Sequence, residues 1–501
     1  MTALRVRSSS SLPACGTATG TAAASLPSTW PSIPPCPIPR SPLPGRFEPE
    51  VCSESVTPHI MEAPEKSIHE PQPPNESRAR KGNQRALFLT GLMFGFFLFL
   101  MALPTPAGLS PAGHRVLSVA LLAIGLWCTD TVPAGVTGMV IVAALVLTGA
   151  VPGLREALAG FADPVAYFLI GVLTLGLAVL RSGLAERLAR FFLDRCNGRA
   201  RTLYLHLLLG FPLLTLILPS ATTRTGILVH VYEQALDLSR VPRGAPLAKA
   251  VMLALNSVNR LASTVLLTGG ITPILAASLI GGVSWTRWLV LMSVPFGVLL
   301  VLGAALIYLL HRRGFDIPLS CLPEKKPKPL SGVEIRTLII TMGASVLWLT
   351  DAWHHWNPAL PAILALVCLL APGIGVLTWR DFESHFGWSN FFVLASSVSL
   401  AQALNGSGAS TWIARLIVRG IPSSDQHPVL VVVALLLVSA PVRLLIPNIS
   451  GFLATTIPIA MSIGLATSLN PVIGGLAVVI AGDAVLYYPA QSASSLVVYE
   501  R

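Results

Sequence analysis

ILPSATTRT, residues 217–225, and LIPNISGF, residues 445–452, decide the reading of this chain. Each sets a proline and small polar residues into an apolar run of membrane-spanning length. Irregular backbone in a bilayer leaves N–H and C=O groups unpaired, so it is tolerated only where protein buries it or where it lines a cavity. Working outward, the two stretches belong to two copies of one unit. With an offset of 225 residues and no gaps, Pro133 falls on Pro358 and Leu154-Arg155-Glu156 on Trp379-Arg380-Asp381. Phe161 then meets Phe386, Ser182-Gly183 meets Ser407-Gly408, and Ala189-Arg190 meets Ala414-Arg415. Paired hydrophobic units with matching Pro/Gly/Ser interruptions are the sequence signature of secondary transporters.

Composition agrees. Of 501 residues 53% are hydrophobic and 11% charged, with a mean hydropathy of +0.70, whereas soluble domains carry about 25% charged residues. The chain reads as an all-α polytopic membrane protein. The period-2 alternation of a β-barrel is absent. The net charge of +11 is carried by basic clusters at 78–85, 181–201 and 312–328, beside the spans. The positive-inside rule accounts for them and places all three, with the N-terminus, in the cytoplasm; no nucleic-acid partner is implied. Trp285, Trp288, Trp348, Trp353, Trp356 and Trp379 fall near span ends and read as interfacial anchors. The seven cysteines show no CxxC or Cys/His metal spacing, and His354-His355 reads as a solvated loop.

Residues 1–84, rich in Pro, Ser and Ala, form a disordered tail in this reading. Its first 47 residues lack acids, as in organelle transit peptides; a start of translation at Met61 is the favoured account. A first helix and the first repeat occupy 85–311, a cytoplasmic linker 312–334, and the second repeat 335–501. Expected spans run over 85–104, 114–131, 132–151 and 161–180. A basic amphipathic helix follows at 181–201, then a re-entrant hairpin at 203–231, a helix over 251–282 broken at TGGITP (268–273), and a span at 288–310. The second repeat repeats the plan with spans at 337–350, 359–376 and 388–404, an amphipathic stretch to 419, a hairpin at 429–463 with its tip at Pro447-Asn448, and a segment from 472 broken at YYPAQSASS (487–495). Counting crossings puts the two amphipathic helices on opposite faces, so the repeats are inverted and the hairpin tips approach each other near the midplane. The plan calls for one further span after Arg501, equivalent to 288–310; its absence means either a truncated sequence or a dispensable helix.

Two tips and two breaks in one place make a polar cavity. Helix N-termini there suit anions; unwound carbonyls and helix C-termini suit Na⁺. The expected substrate contacts are Ser220, Thr222, Thr223 and Arg224 at the first tip, Asn448 and Ser450 at the second, and Thr272, Pro273, Gln491 and Ser492 at the breaks. Ser220, Thr268, Gly269, Asn448 and Asp483 are the candidate Na⁺ contacts; no other cofactor is expected. Arg224 lies alone in an apolar segment. It serves either as a bidentate contact for carboxylate, sulfate or phosphate, or as the partner of Glu233 or Asp483. Asn256, Asn259 and Arg260 are read equally as substrate contacts or as interhelical hydrogen-bonding groups. Asp483 either binds a coupling ion or pairs with Arg224 or Arg443. Asp130 reads as interfacial. No H-E-x-x-H, G-x-S-x-G or P-loop pattern occurs, which argues against an enzyme.

At LWCTDTVPAGVTGM (126–139), at FADPVAYFLIGVLTLGLAVLRSGLAERLA (161–189), and at the tips and breaks, the chain resembles the divalent anion–sodium symporter family. The resemblance runs from about 114 to the end. It implies transport of small dianions (di- or tricarboxylates, or sulfate) across the cell membrane, driven by Na⁺ or H⁺ or by exchange. It also implies a homodimer of scaffold and transport domains that works as an elevator. A cation/proton antiporter or arsenite-type permease is the alternative. In that family two Ser-Asn-Thr tips bind carboxylates and Na⁺. Here the tips read Pro219-Ser220-Ala221-Thr222 and Pro447-Asn448-Ile449-Ser450, and Arg224 stands as a fixed positive charge. The departure suggests that Arg224 takes over part of a coupling ion's role.

Overall fold

A computed structural model describes residues 76–195, 198–218, 220–319, 329–419, 427–467 and 469–499. Most of the expected N-terminal tail, the centre of the linker and Pro219 therefore lie outside the described residues. Eight of the described helices are long and apolar enough to cross a membrane.

The first helix, α1 (Glu76–Ala102), starts earlier than expected, so residues 76–84 belong to it rather than to the tail. Helix α2 (Pro111–Thr129) returns to the face from which α1 sets out, here the near face. The short α3 (Ala134–Leu147) leads away again, and the single turn α4 (Leu154–Ala157) follows. Arg115 at the start of α2 donates to Gly149 O beyond α3 at 3.1 Å, which fixes both on the far face. Helix α5 (Pro164–Arg181) comes back, and α6 (Leu184–Asp194), the amphipathic helix, lies along the near face. Helices α7 (Ala200–Ile217) and α8 (Ala221–Leu238) form the first hairpin. Next, α9 (Pro246–Leu253), a π-helical turn and α10 (Asn259–Val265) climb to the first break, and α11 (Ile271–Ile280) carries on to the far face. Helix α12 (Trp285–Leu310) crosses back. Both ends of the hairpin sit on the near face. Leu319 N donates to Gly198 O at 2.8 Å, Arg201 pairs with Asp316, and Gly314 packs on the Leu247 backbone at the start of α9.

The second repeat follows the same order: α13 (Gly332–Leu349), the turn α14 (Asp351–His354), α15 (Ala359–Leu370), the short α16 (Trp379–His385) and α17 (Trp388–Gly406). It ends with the amphipathic α18 (Ala409–Val418), the hairpin α19 (Pro428–Leu445) and α20 (Ile449–Ala466), then α21 (Pro471–Ala484), the second break and α22 (Ala493–Tyr499). The amphipathic helices fix the inversion. Arg187 of α6 binds Glu334 at the start of α13 at 2.8 Å. Trp412 of α18 instead donates to Ala107 O in the α1–α2 turn at 3.1 Å, and Ser110 in that turn bonds Ser407 O at 2.8 Å. One lies on the near face and the other on the far face.

Local chemistry sets these boundaries. Proline occupies the first turn of α2, α5, α9, α19 and α21, where its missing N–H costs nothing. Ser110, Asp163, Ser220, Ser284 and Asn448 cap the helices that follow them. Ser331 and Glu334 form a capping box that also receives Arg187, so one carboxylate ends α13 and anchors α6. Small residues let helices approach without a hydrophobic driving force. A Cβ on Gly171 of α5 would collide with the Ala362 carbonyl of α15. Gly171→Ala should therefore destabilise the folded protein by ~1–3 kcal/mol through overpacking. The expected readout is a lower melting temperature in detergent, and an unchanged one would mean that α5 and α15 separate freely.

Three of the six tryptophans read as interfacial anchors are not. Trp285, Trp288 and Trp348 are buried. Their indoles bond Thr268 Oγ1 at 3.4 Å, Thr264 O at 3.0 Å and Pro358 O at 3.0 Å. Trp288 serves a backbone carbonyl just before the first break, because a helix interrupted in a dry interior needs outside donors for its freed carbonyls, and Trp285 holds a side-chain hydroxyl within the break. Trp353, Trp356 and Trp379 are exposed.

Candidate functional site

The first break follows from its sequence. After α10 the chain extends at Leu266 and passes Gly269, where any Cβ would collide with Ser263 O. The second begins where Val485 turns extended and ends at Ser492, with one 3₁₀ turn at Pro489–Gln491 between. Both breaks and both tips border a cavity of about 550 Å³. Its walls include Ser220, Ala221, Thr222 and Thr223 of the first tip, Gly270, Thr272 and Pro273 of the first break, and Gln491, Ser492 and Ser494 of the second. Arg260 and Asp483 line it too, as do His385 and Asn390 from the near-face ends of α16 and α17. A neighbouring cavity of about 370 Å³ is lined by Asn448 and Ser450 of the second tip and by Trp127, Asp130 and Ser389. Asn390, Gln491 and Ser492 belong to both.

Two kinds of donor line the larger cavity. Ser220 caps α8, accepting from Thr223 N at 3.3 Å and Thr223 Oγ1 at 3.0 Å. The N–H groups of Ala221 and Thr222, on the cavity wall, stand in the first turn of an 18-residue helix, where amides have no intrahelical partner and the dipole is positive. The second donor is Arg260. Its Nη1 reaches Asp483 Oδ1 at 3.1 Å, while its Nε is buried without a partner. Asp483 Oδ2 is also held by the Thr264 hydroxyl. The ion pair joins α10 of one repeat to α21 of the other, with side chains 10% and 4% exposed.

Arg224 is placed otherwise than expected. It contacts neither the cavity nor an acid. Its guanidinium is wholly buried and donates to Leu218 O, to the Ser263 hydroxyl and, at 2.9 Å, to Asn259 Oδ1. Asn259 in turn bonds Ala221 O and Thr225 Oγ1. Of the two acids considered as its partner, Glu233 and Asp483, the second is taken by Arg260. Arg224 thus ties the carbonyl just before the first tip to the helix just before the first break. Arg443 makes the same kind of tie in the second repeat, although unlike Arg224 it also lines the larger cavity; its expected role was only that of a possible partner for Asp483. It donates to Ile446 O, to Pro447 O at 2.7 Å, to Gly482 O at 3.2 Å and to Gln491 O at 3.2 Å. Gln491 answers with a bond from Nε2 to Arg443 O at 2.9 Å. The signal was available, since both arginines stand alone in apolar runs. Repeat alignment hid the parallel because Arg224 follows its proline and Arg443 precedes its own.

The remaining expected contacts divide. Thr222, Thr223, Thr272 and Pro273 line the larger cavity, Asn448 and Ser450 the smaller, and Gln491 and Ser492 both. The candidate Na⁺ contacts do not gather about one point. Ser220 and Asp483 border the larger cavity and Asn448 the smaller. Thr268 is buried and accepts from Trp285, and Gly269 packs on Ser263. Asn448 spends its side-chain oxygen on Ser450 N and Gly451 N. Asn256, from the second polar patch, bonds Ser495 at 2.7 Å and ties α22 to the π-helical turn.

Inverted helical repeats with tips and breaks around a polar cavity define a membrane carrier. The chain belongs to the family described as the sodium:sulfate symporter transmembrane region, whose model matches residues 85–500. It is a transporter, not an enzyme. Among its relatives is the L-tartrate/succinate antiporter of Escherichia coli K12, 25% identical over 73% of this chain and 80% of that protein. The chloroplastic dicarboxylate transporter 1 of Arabidopsis thaliana is 26% identical over 64% of this chain and 60% of that protein. A membrane protein of Cupriavidus necator is 23% identical over 64% and 67%.

Proposed function

We propose that this chain exchanges small dianions, dicarboxylates foremost, across the cell membrane without a coupling cation. The observation that carries the reading is the buried charge. Among the described residues, Arg224, Arg260 and Arg443 are buried around the tips and breaks against one acid there, Asp483. Arginine keeps its proton in proteins, so the surplus is two positive charges. Helix-end and break carbonyls that would suit a cation accept from the Arg224 and Arg443 guanidinia instead. A dianion on Arg260 and the α8 N-terminus balances the surplus, and the loaded domain then slides as a neutral body. Empty, it moves two unbalanced charges past the hydrocarbon, at ~2.5–3.5 kcal/mol each, and the return step is suppressed. The antiporter named among the relatives agrees with this reading. By the same argument a bare cation site, as in a cation/proton antiporter, is disfavoured. The near face, where Arg187, Arg190, Arg199, Arg201, Arg240, Arg243, Arg312 and Arg313 crowd, is assigned to the cytoplasm, and the working unit is taken as a homodimeric elevator.

Counterflow in liposomes tests the reading. Labelled succinate should enter vesicles preloaded with succinate at least ~100-fold faster than empty ones, a difference of at least about 2.7 kcal/mol, and equally well in choline and in Na⁺ media. Net uptake into empty vesicles driven by an inward Na⁺ gradient would overturn it.

A further inference from the structure

We infer that Asp483 sets the charge number of the anion this carrier accepts. The inference rests on the exchange reading above and adds a residue to it. Asp483 is the one acid among the described residues that line the larger cavity, and it is 3% exposed. It holds Arg260 through Oδ1 at 3.1 Å and Thr264 through Oδ2. Arg224 and Arg443, by contrast, spend their donors on backbone carbonyls, one side-chain amide and one hydroxyl, which carry no net charge.

The consequence is arithmetic. Three buried guanidinia leave +3, and the Asp483 carboxylate reduces this to +2, so a dianion completes the balance. Without Asp483 the balance falls to a trianion. The carboxylate also occupies one edge of the guanidinium that offers itself to substrate, so Asp483 acts as a resident competitor for the arriving anion. Charge complementarity in a water-poor site discriminates between ligands more than it adds affinity, and the expected change is therefore in selectivity.

The pair to compare is succinate and tricarballylate at pH 8, where they are a dianion and a trianion of related shape. Each is used to inhibit labelled succinate counterflow in purified, reconstituted protein. In Asp483→Asn the ratio of half-inhibiting concentrations should move at least about tenfold toward tricarballylate. In Asp483→Glu, which keeps the charge, it should stay within about threefold of the parent. An unchanged ratio in Asp483→Asn, or an equal shift in both variants, overturns the inference. If Asp483→Asn does not yield folded protein, Arg260→Gln/Asp483→Asn decides. It removes the pair as a unit and restores +2, so its residual exchange should keep the parental preference for the dianion. A tenfold move to the trianion there would also overturn the inference. Failure of the exchange reading looks different, because the unaltered protein would then show no counterflow.

Discussion

Arg260→Gln is expected to cut anion exchange by at least ~100-fold, the largest functional effect of any single substitution in this chain. Two losses combine. Two guanidinia line the larger cavity, those of Arg260 and Arg443, and the variant removes the one that still carries a buried donor without a partner. It also strands Asp483, whose carboxylate would keep only the Thr264 hydroxyl. Breaking a buried ion pair from one side costs ~3–5 kcal/mol because an uncompensated charge remains. The two losses separate experimentally. Arg260→Gln/Asp483→Asn removes the stranded charge, so its melting temperature in detergent should recover most of the way to the parent. Its affinity for succinate should not recover. If the double variant regained full affinity, Arg260 would be a structural strut and the anion site would lie elsewhere, the smaller cavity being the next place to look.

The second large effect is on stability. Arg224→Met keeps an unbranched apolar stem and removes the guanidinium with its donors. Leu218 O, Asn259 Oδ1 and the Ser263 hydroxyl then lose their guanidinium partner in a buried site. The Ser263 hydroxyl keeps its bond to Asn259 O, so two acceptors are left unsatisfied; at ~1–3 kcal/mol each the variant should lose at least ~2 kcal/mol. Arg224→Lys should recover part of this, since one ammonium cannot match a planar fork spread over three acceptors. Melting in detergent and the yield of monodisperse protein are the measurements. A melting temperature equal to the parent's would mean that water replaces the guanidinium and that the tip is wet. Arg443→Met should behave alike, because Arg443 serves Ile446 O, Gly482 O and Gln491 O in the same way.

The architecture was legible because each of its signals is local or periodic. Spans follow from the length of apolar runs, and caps follow from Ser110, Asp163 and Ser331 before them. The tips were marked by Pro447 with Asn448 and by Ser220. The repeat showed in a gapless offset, and the inversion followed from counting crossings, an argument that Arg187–Glu334 and Trp412–Ala107 bear out from opposite faces. Where a single helix end was misjudged, as at Glu76, the cause lay in polar residues that extend a helix without adding hydropathy.

The site was legible as a set of segments but not as a set of roles. A sequence shows that Arg224, Arg260, Arg443 and Asp483 are charges in apolar surroundings. It does not show which of the three arginines the one acid faces. That choice depends on which faces of α10 and α21 meet, and side-chain direction on a helix turns by 100° per residue, so a small difference in packing exchanges one partner for another. The sequence by itself thus determined a twofold, inverted helical carrier with polar tips and breaks. Only the tertiary structure decided that Asp483 belongs to Arg260, that Arg224 and Arg443 hold the tips in place, and that Arg260 is left with a donor to offer. Periodicity is written along the chain, whereas the pairing of buried charges is settled by contacts between residues more than two hundred positions apart.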